Sequence, residues 1–66
     1  MISYAPLWET MKKKSITTYT LRKKMNVSAG TVDSLKQGRH ISTHTVNMLC
    51  NLLECRIEDI MVHIPD

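Results

Sequence analysis

The segment Ile16–Gly38 constrains the fold of this chain most, because it carries two sets of helix signals separated by one tight turn. Thr17 is suited to cap the N-terminus of a first helix over about Thr18–Lys24. Asn26 then stands where that helix must stop, and Asn tolerates the left-handed backbone conformation that a sharp reversal requires. The first half of the segment therefore predicts a short helix that ends in a turn.

The second half of the same segment predicts another short helix, about residues 29–37. Ser28 is suited to cap its N-terminus, and Gly38 supplies a C-terminal stop. Val32 and Leu35, three residues apart, form an apolar stripe, whereas the opposite side carries small and polar side chains. Helices of under three turns bury little surface, so the pair must pack on other elements. Together they predict a helix-turn-helix.

Three further helices are predicted around this pair. The first covers about residues 6–14 and starts at a proline, the next covers about Thr43–Glu54 after the cap residue Ser42, and the last covers about Arg56–Val62. Their inward-facing apolar positions are Leu7, Trp8 and Met11, then Val46, Leu49, Cys50 and Leu53, then Ile57, Ile60 and Met61. No strand is clearly predicted, although Met1–Tyr4 is free to pair with another segment. We therefore expect an all-α fold of five helices.

The chain length and the distribution of charge limit the classes of function that this protein can have. A chain of 66 residues predicts a single domain over residues 1–66, with a core too small to enclose a substrate or cofactor pocket. We therefore expect no enzymatic activity and no cofactor. Residues 1–40 carry eight Lys or Arg against two acidic residues, a net charge of +6, whereas residues 41–66 carry one against four, a net charge of −3. The basic half contains the helix-turn-helix, which favours a polyanionic partner.

The cysteine and histidine residues do not predict a disulfide or a metal site. Cys50 and Cys55 are five apart, so on a continuous helix they point to different sides. His40 and His44 lie on either side of a helix start and lack the spacing of a zinc site. The chain has no leader-like segment and no apolar run long enough to span a membrane, so we expect a cytoplasmic location.

The chain resembles the Cro and lambda-repressor-like (XRE) family of bacterial and phage DNA-binding domains over nearly its whole length. The matching positions are the apolar residues Leu21, Met25, Val27, Val32 and Leu35, the pattern S-x-x-T-V-x-x-L-x-x-G from Ser28 to Gly38, and LCNLLECRIEDIM from Leu49 to Met61. Two positions depart from the family pattern. Arg22 stands where a small residue is frequent, and Asn26 stands where glycine is frequent in the turn.

The resemblance implies a five-helix lambda-repressor-like domain that regulates transcription, with residues 29–37 in the major groove of double-stranded DNA. The predicted DNA-binding residues are Thr18, Tyr19, Ser28, Ala29, Gly30, Thr31, Asp33, Ser34, Lys36, Gln37 and Arg39. A homodimer through the C-terminal helices, bound to an inverted repeat, is the expected assembly, with no small-molecule ligand. The alternative is a protein-binding module of the same fold, such as an antitoxin-like or anti-repressor partner.

Overall fold

The computed structural model describes all 66 residues and contains four α-helices, one 3₁₀ turn and a small sheet. The elements in chain order are β1 (Ile2–Ser3), α1 (Ala5–Lys13), α2 (Thr18–Lys23), α3 (Ala29–Lys36), α4 (Thr43–Leu53), the 3₁₀ turn (Ile57–Asp59) and β2 (Val62–His63). None of the helices combines the length and the apolar character needed to cross a membrane.

Hydroxyl side chains begin three of the four helices, as predicted. Thr17, Ser28 and Ser42 each accept a hydrogen bond from the backbone N–H three residues ahead, in each case at 3.1 Å. These bonds satisfy N–H groups that have no partner within the helix itself. The starts of α2, α3 and α4 are therefore fixed by local sequence.

Residues in the left-handed backbone conformation follow the helix C-termini, where the chain reverses direction. Asn26 has φ of 57° in the turn between α2 and α3, and Gly38 has φ of 70° just after α3, so both predicted stops are confirmed. Glu54 adopts the same conformation, with φ of 50°, at the end of α4. Ser15 also adopts it, with φ of 57° just after α1, and neither of these two reversals was predicted, because glutamate and serine are not residue types that favour positive φ.

A single apolar core joins all four helices. Its fully buried side chains are Leu7, Leu21, Leu35, Leu49, Leu53 and Ile60, with Tyr4, Met11, Val27 and Val32 completing the cluster. Trp8 is only partly buried and packs against the edge of this cluster. The core therefore consists mainly of aliphatic side chains, contributed by every helix and by the segments between them.

The prediction of a fifth α-helix over residues 56–62 is wrong. Only Ile57–Asp59 is helical, and it forms one 3₁₀ turn in which the Ile60 N–H donates to the Ile57 carbonyl at 2.9 Å. Ile60 is fully buried as expected, but Ile57 is 54% exposed instead of facing inward. The chain straightens after this turn because Val62–His63 pairs with another strand, which satisfies backbone groups that a longer helix would have used.

That pairing brings the two ends of the chain together in a two-stranded antiparallel sheet. Ile2 pairs with His63 and Ser3 pairs with Val62, so the segment left open at the N-terminus finds its partner at the C-terminus. The sheet continues into Tyr4, whose side chain is 6% exposed and belongs to the core. The fold is therefore mostly helical, with a short sheet that closes it.

Candidate nucleic-acid interface

Helices α2 and α3 pack against each other across the turn at Asn26. The Val27 N–H donates to the Leu21 carbonyl at 2.8 Å, which draws the turn back toward the end of α2. Leu21, Val32 and Leu35 are buried between the helices and the rest of the core. Because these side chains anchor one face of α3, its opposite face is held outward.

The outward face of α3 carries short side chains at its N-terminal end. Ala29 and Gly30 are exposed, and Thr31 and Ser34 are partly buried. A Cβ atom built on Gly30 meets no other atom within 4 Å, so this glycine borders open space and is not required for packing within the chain. A convex helix with so little side-chain bulk at this end can approach a partner surface closely.

The hydroxyl groups of Ser28 and Thr31 have different hydrogen-bonding capacity. The Ser28 hydroxyl caps α3 and also donates to Thr31 Oγ1 at 2.9 Å, so its hydrogen is already used. The Thr31 hydroxyl accepts that bond and keeps its own hydrogen available. Ser28 is therefore placed to shape the start of α3, whereas Thr31 retains a donor.

Three polar residues at the C-terminal end of α3 form a closed network. The Gln37 amide donates to Asp33 Oδ1 at 3.1 Å, and Arg39 donates to Gln37 Oε1 at 2.6 Å. The Arg39 guanidinium also lies 3.4 Å from Asp33 Oδ2. Asp33 is thus paired on both oxygens within the chain. The neighbouring Lys36 side chain is exposed and adds a positive charge at this end of α3.

The first turn of α2 supplies the two remaining predicted residues. Thr18 is partly buried, whereas Tyr19 is 66% exposed and presents its phenol to solvent. Arg22 and Lys23 follow in the last turn of the same short helix, and both are exposed. The outer side of α2 therefore combines hydroxyl donors with basic side chains, the residue types that contact nucleic-acid phosphates.

One contact that holds this region in place was not predicted. The Tyr4 hydroxyl donates to the backbone carbonyl of Arg39 at 2.7 Å, across 35 residues of sequence. Tyr4 thereby ties the loop after α3 to the segment that follows β1. No local pattern identifies such a pair, because its partner is a backbone atom far away in the chain.

Comparison with known proteins agrees with this geometry. The family model for the Cro/C1-type HTH DNA-binding domain matches residues 6–66. The solved structure of the transcriptional regulator VanUg is similar to this chain with a TM-score of 0.87 and 26% sequence identity, over 98% of this chain and 87% of that one. No curated protein matches the sequence. The chain therefore belongs to the family of Cro/C1-type helix-turn-helix DNA-binding domains, and it is a DNA-binding regulator.

Proposed function

We propose that this chain, as a single domain over residues 1–66, is a repressor-like regulator that places α3 in the major groove of an inverted-repeat operator. The observation that carries the proposal is the exposed N-terminal end of α3, where Ala29 and Gly30 add almost no bulk. In a helix-turn-helix this end of the second helix faces the base edges. A slim helix end is suited to deep insertion between the two phosphate backbones.

The proposed contacts divide into base and phosphate contacts. The Ala29 methyl would contact a thymine methyl, and Ser34 and Gln37 would bond to base edges. Lys36 and Arg39 would contact phosphates at one end of α3, and Thr18 and Tyr19 would contact phosphates at the start of α2. Ser28 and Thr31 lie at the entrance of α3, where a shared hydrogen bond orders both hydroxyls.

Selection of bound sites from random duplex DNA tests the base contacts. An enriched sequence with two-fold symmetry supports the proposal, and enrichment of no sequence contradicts it. The phosphate contacts are tested by Lys36→Ala combined with Arg39→Ala. Because each phosphate contact adds about 0.9 to the slope of log affinity against log salt, the double variant should flatten that slope by about two. Arg56→Ala is the matched control, since Arg56 is exposed on the acidic C-terminal part of the chain.

Homodimerisation would place two copies of α3 about 34 Å apart, on successive major grooves. Support comes from apolar side chains left exposed in the C-terminal segment, Ile57 at 54%, Val62 at 45% and Ile64 at 43%. Such residues favour burial against a second copy. Light scattering across a concentration series tests this directly, and a strict monomer at tens of micromolar would contradict it.

A second candidate function is a protein-binding module of the same fold. It is favoured by an apolar groove of roughly 380 Å³ lined by Ile41, Val46, Cys50, Ile57 and Met61, among others. The groove lies on the acidic half of the chain, on elements other than α2 and α3. Heparin chromatography separates the two candidates, because a protein binder without affinity for DNA should flow through at low salt.

A further inference from the structure

The end of α4 brings Cys50 and Cys55 together, contrary to the expectation from a continuous helix. The helix ends at Leu53, and Glu54 turns the backbone into the left-handed region. The Glu54 N–H then donates to the Asn51 carbonyl at 3.4 Å, and the Cys55 N–H donates to the Cys50 carbonyl at 3.1 Å. This pair of bonds is the Schellman motif. In this motif the side chains of the two residues joined by the bond that spans more of the chain, here Cys50 and Cys55, commonly touch.

The backbone bond limits how far apart the two cysteines lie. Standard bond lengths added to the N···O distance hold the two Cα atoms within about 7 Å of each other. Disulfides span Cα separations of roughly 4.4–6.8 Å, so the backbone here lies near or within the required range. Because Glu54 has already reversed the chain, closing the bond does not require the helix to unwind.

Both thiols are free and partly accessible, and the presence of Cys50 affects the pKa of Cys55. Cys50 and Cys55 are both half-buried and neither is in a disulfide. Burial raises the pKa of the Cys55 thiol, and the neighbouring Cys50 and Asp59 raise it further, against a smaller opposing effect of Lys14. Cys50 is thus a near neighbour of Cys55, together with a carboxylate from the 3₁₀ turn and a lysine from the end of α1.

We propose that Cys50 and Cys55 form a dithiol modification site that a low-molecular-weight disulfide of the glutathione class oxidises to an intramolecular disulfide. One cysteine thiolate attacks the small disulfide, forms a mixed disulfide and releases one small thiol. The other cysteine thiolate then attacks the protein sulfur of that mixed disulfide and releases the second small thiol. Two cysteine thiols lose two electrons and two protons, and one small disulfide is reduced to two small thiols.

Oxidation would act on the C-terminal face of the molecule. The bond would join the last turn of α4 to the segment that leads into the 3₁₀ turn. Cys50 also lines the apolar groove together with Ile57 and Met61, which follow that segment. The redox state of the pair would therefore set how firmly one wall of the groove is held against the other. This proposal does not depend on DNA binding by α3.

The test uses the full reduced chain at low concentration, incubated with oxidised glutathione and quenched with an alkylating reagent. We expect an intact mass lower by two hydrogen atoms, with no alkyl group and no glutathione attached. Trypsin has no cleavage site between Arg39 and Arg56, so both cysteines should be recovered in the single peptide His40–Arg56, also lighter by two hydrogen atoms.

Two serine variants provide the matched controls. Cys50→Ser and Cys55→Ser each retain one thiol, so each should stop at the mixed disulfide and carry one glutathione. The wild-type result is read from mass alone and does not depend on the stability of either variant. Stable glutathione adducts on the wild-type chain, covalent dimers as its main product, or thiols that remain unreacted would each overturn the proposal.

Discussion

The Arg39 guanidinium lies 3.4 Å from the Asp33 carboxylate, so the one acidic side chain of α3 is paired with a cation that the DNA backbone would otherwise attract. We therefore expect Asp33 to oppose DNA binding in two ways, through its own charge and by pairing with Arg39. We predict that Asp33→Asn strengthens binding to duplex DNA while the slope of log affinity against log salt stays nearly unchanged, because Arg39 would contact a phosphate in both chains but would have no ion pair to give up in the variant.

Fluorescence anisotropy over a salt series measures both quantities. Glu9→Gln is the control, because it makes the same change in net charge at an exposed position on α1. If Asp33→Asn instead lost affinity for the selected operator only, then Asp33 would be a base contact, accepting from cytosine N4, and the prediction would be wrong.

Gly30 provides a test of close approach to DNA. The space above it is open, so Gly30→Leu should fold normally, while the added side chain should keep α3 out of the groove. We expect a loss of roughly tenfold or more in operator affinity, the scale of one lost base contact. Gly30→Ala is the conservative partner and should raise helix stability by up to about 1 kcal/mol. Equal operator affinity for wild type and Gly30→Leu would argue against insertion of this helix end.

Removing the N-cap of α3 or of α4 distinguishes an effect on protein stability from an effect on DNA recognition. Ser28→Ala and Ser42→Ala each remove a side-chain acceptor held at 3.1 Å, and each should cost about 1 kcal/mol, lowering the melting temperature by roughly 4–8 °C. Only Ser28→Ala should weaken DNA binding at a temperature where both variants are folded, because in the proposed complex the N-terminus of α3, and not that of α4, enters the groove. Thermal unfolding and DNA titration on the same samples check this, and equal losses of DNA affinity would contradict it.

Leu35 and Ile57 have the same size, but truncating them to alanine should affect different properties of the protein. Leu35 is 2% exposed, so Leu35→Ala should cost about 2–5 kcal/mol of unfolding free energy. Ile57 is mostly exposed, so Ile57→Ala should change that free energy by no more than about 0.5 kcal/mol while weakening self-association. Urea unfolding of the monomer and sedimentation of a concentration series give the two readouts. A large loss of monomer stability in Ile57→Ala would place that side chain in the core.

Cys55 should make the stability of the reduced chain depend on pH in the alkaline range. Burial raises its pKa above the ordinary value of 9.0, so above that pH the unfolded chain loses the thiol proton while the folded chain still holds it. The free energy of unfolding should therefore fall as the pH rises past 9.0, and Cys55→Ser should remove part of that fall. Urea unfolding under a reducing agent at several pH values measures the effect, and parallel curves for both chains would contradict it.

The helices and their starts were predictable because their determinants are local. A hydroxyl residue three positions before its N–H partner and apolar residues three or four apart are visible in the sequence itself. The same holds for Asn26 and Gly38, whose residue types favour the backbone conformation they adopt. The exposed face of α3 follows directly from the buried positions of Val32 and Leu35.

The missed features depend on pairs far apart in sequence or on an unfavoured conformation. The pairing of Ile2–Ser3 with Val62–His63 replaced the predicted closing helix, and two-residue strands are too short to show an alternating pattern. Glu54 was missed because its residue type does not favour the positive φ that it adopts. The closeness of Cys50 and Cys55 follows from that one residue.

The hydrogen bond from the Tyr4 hydroxyl to the Arg39 carbonyl connects two regions of the molecule, the two-stranded sheet and the loop after α3. Tyr4 directly follows β1, and Arg39 lies three residues beyond the end of α3. A protein that packed against the sheet and displaced this ring would release the Arg39 loop and weaken the DNA contact proposed for Arg39. By reciprocity, DNA that orders the loop would favour the position of Tyr4 and oppose that protein, so the two occupants would compete without ever touching.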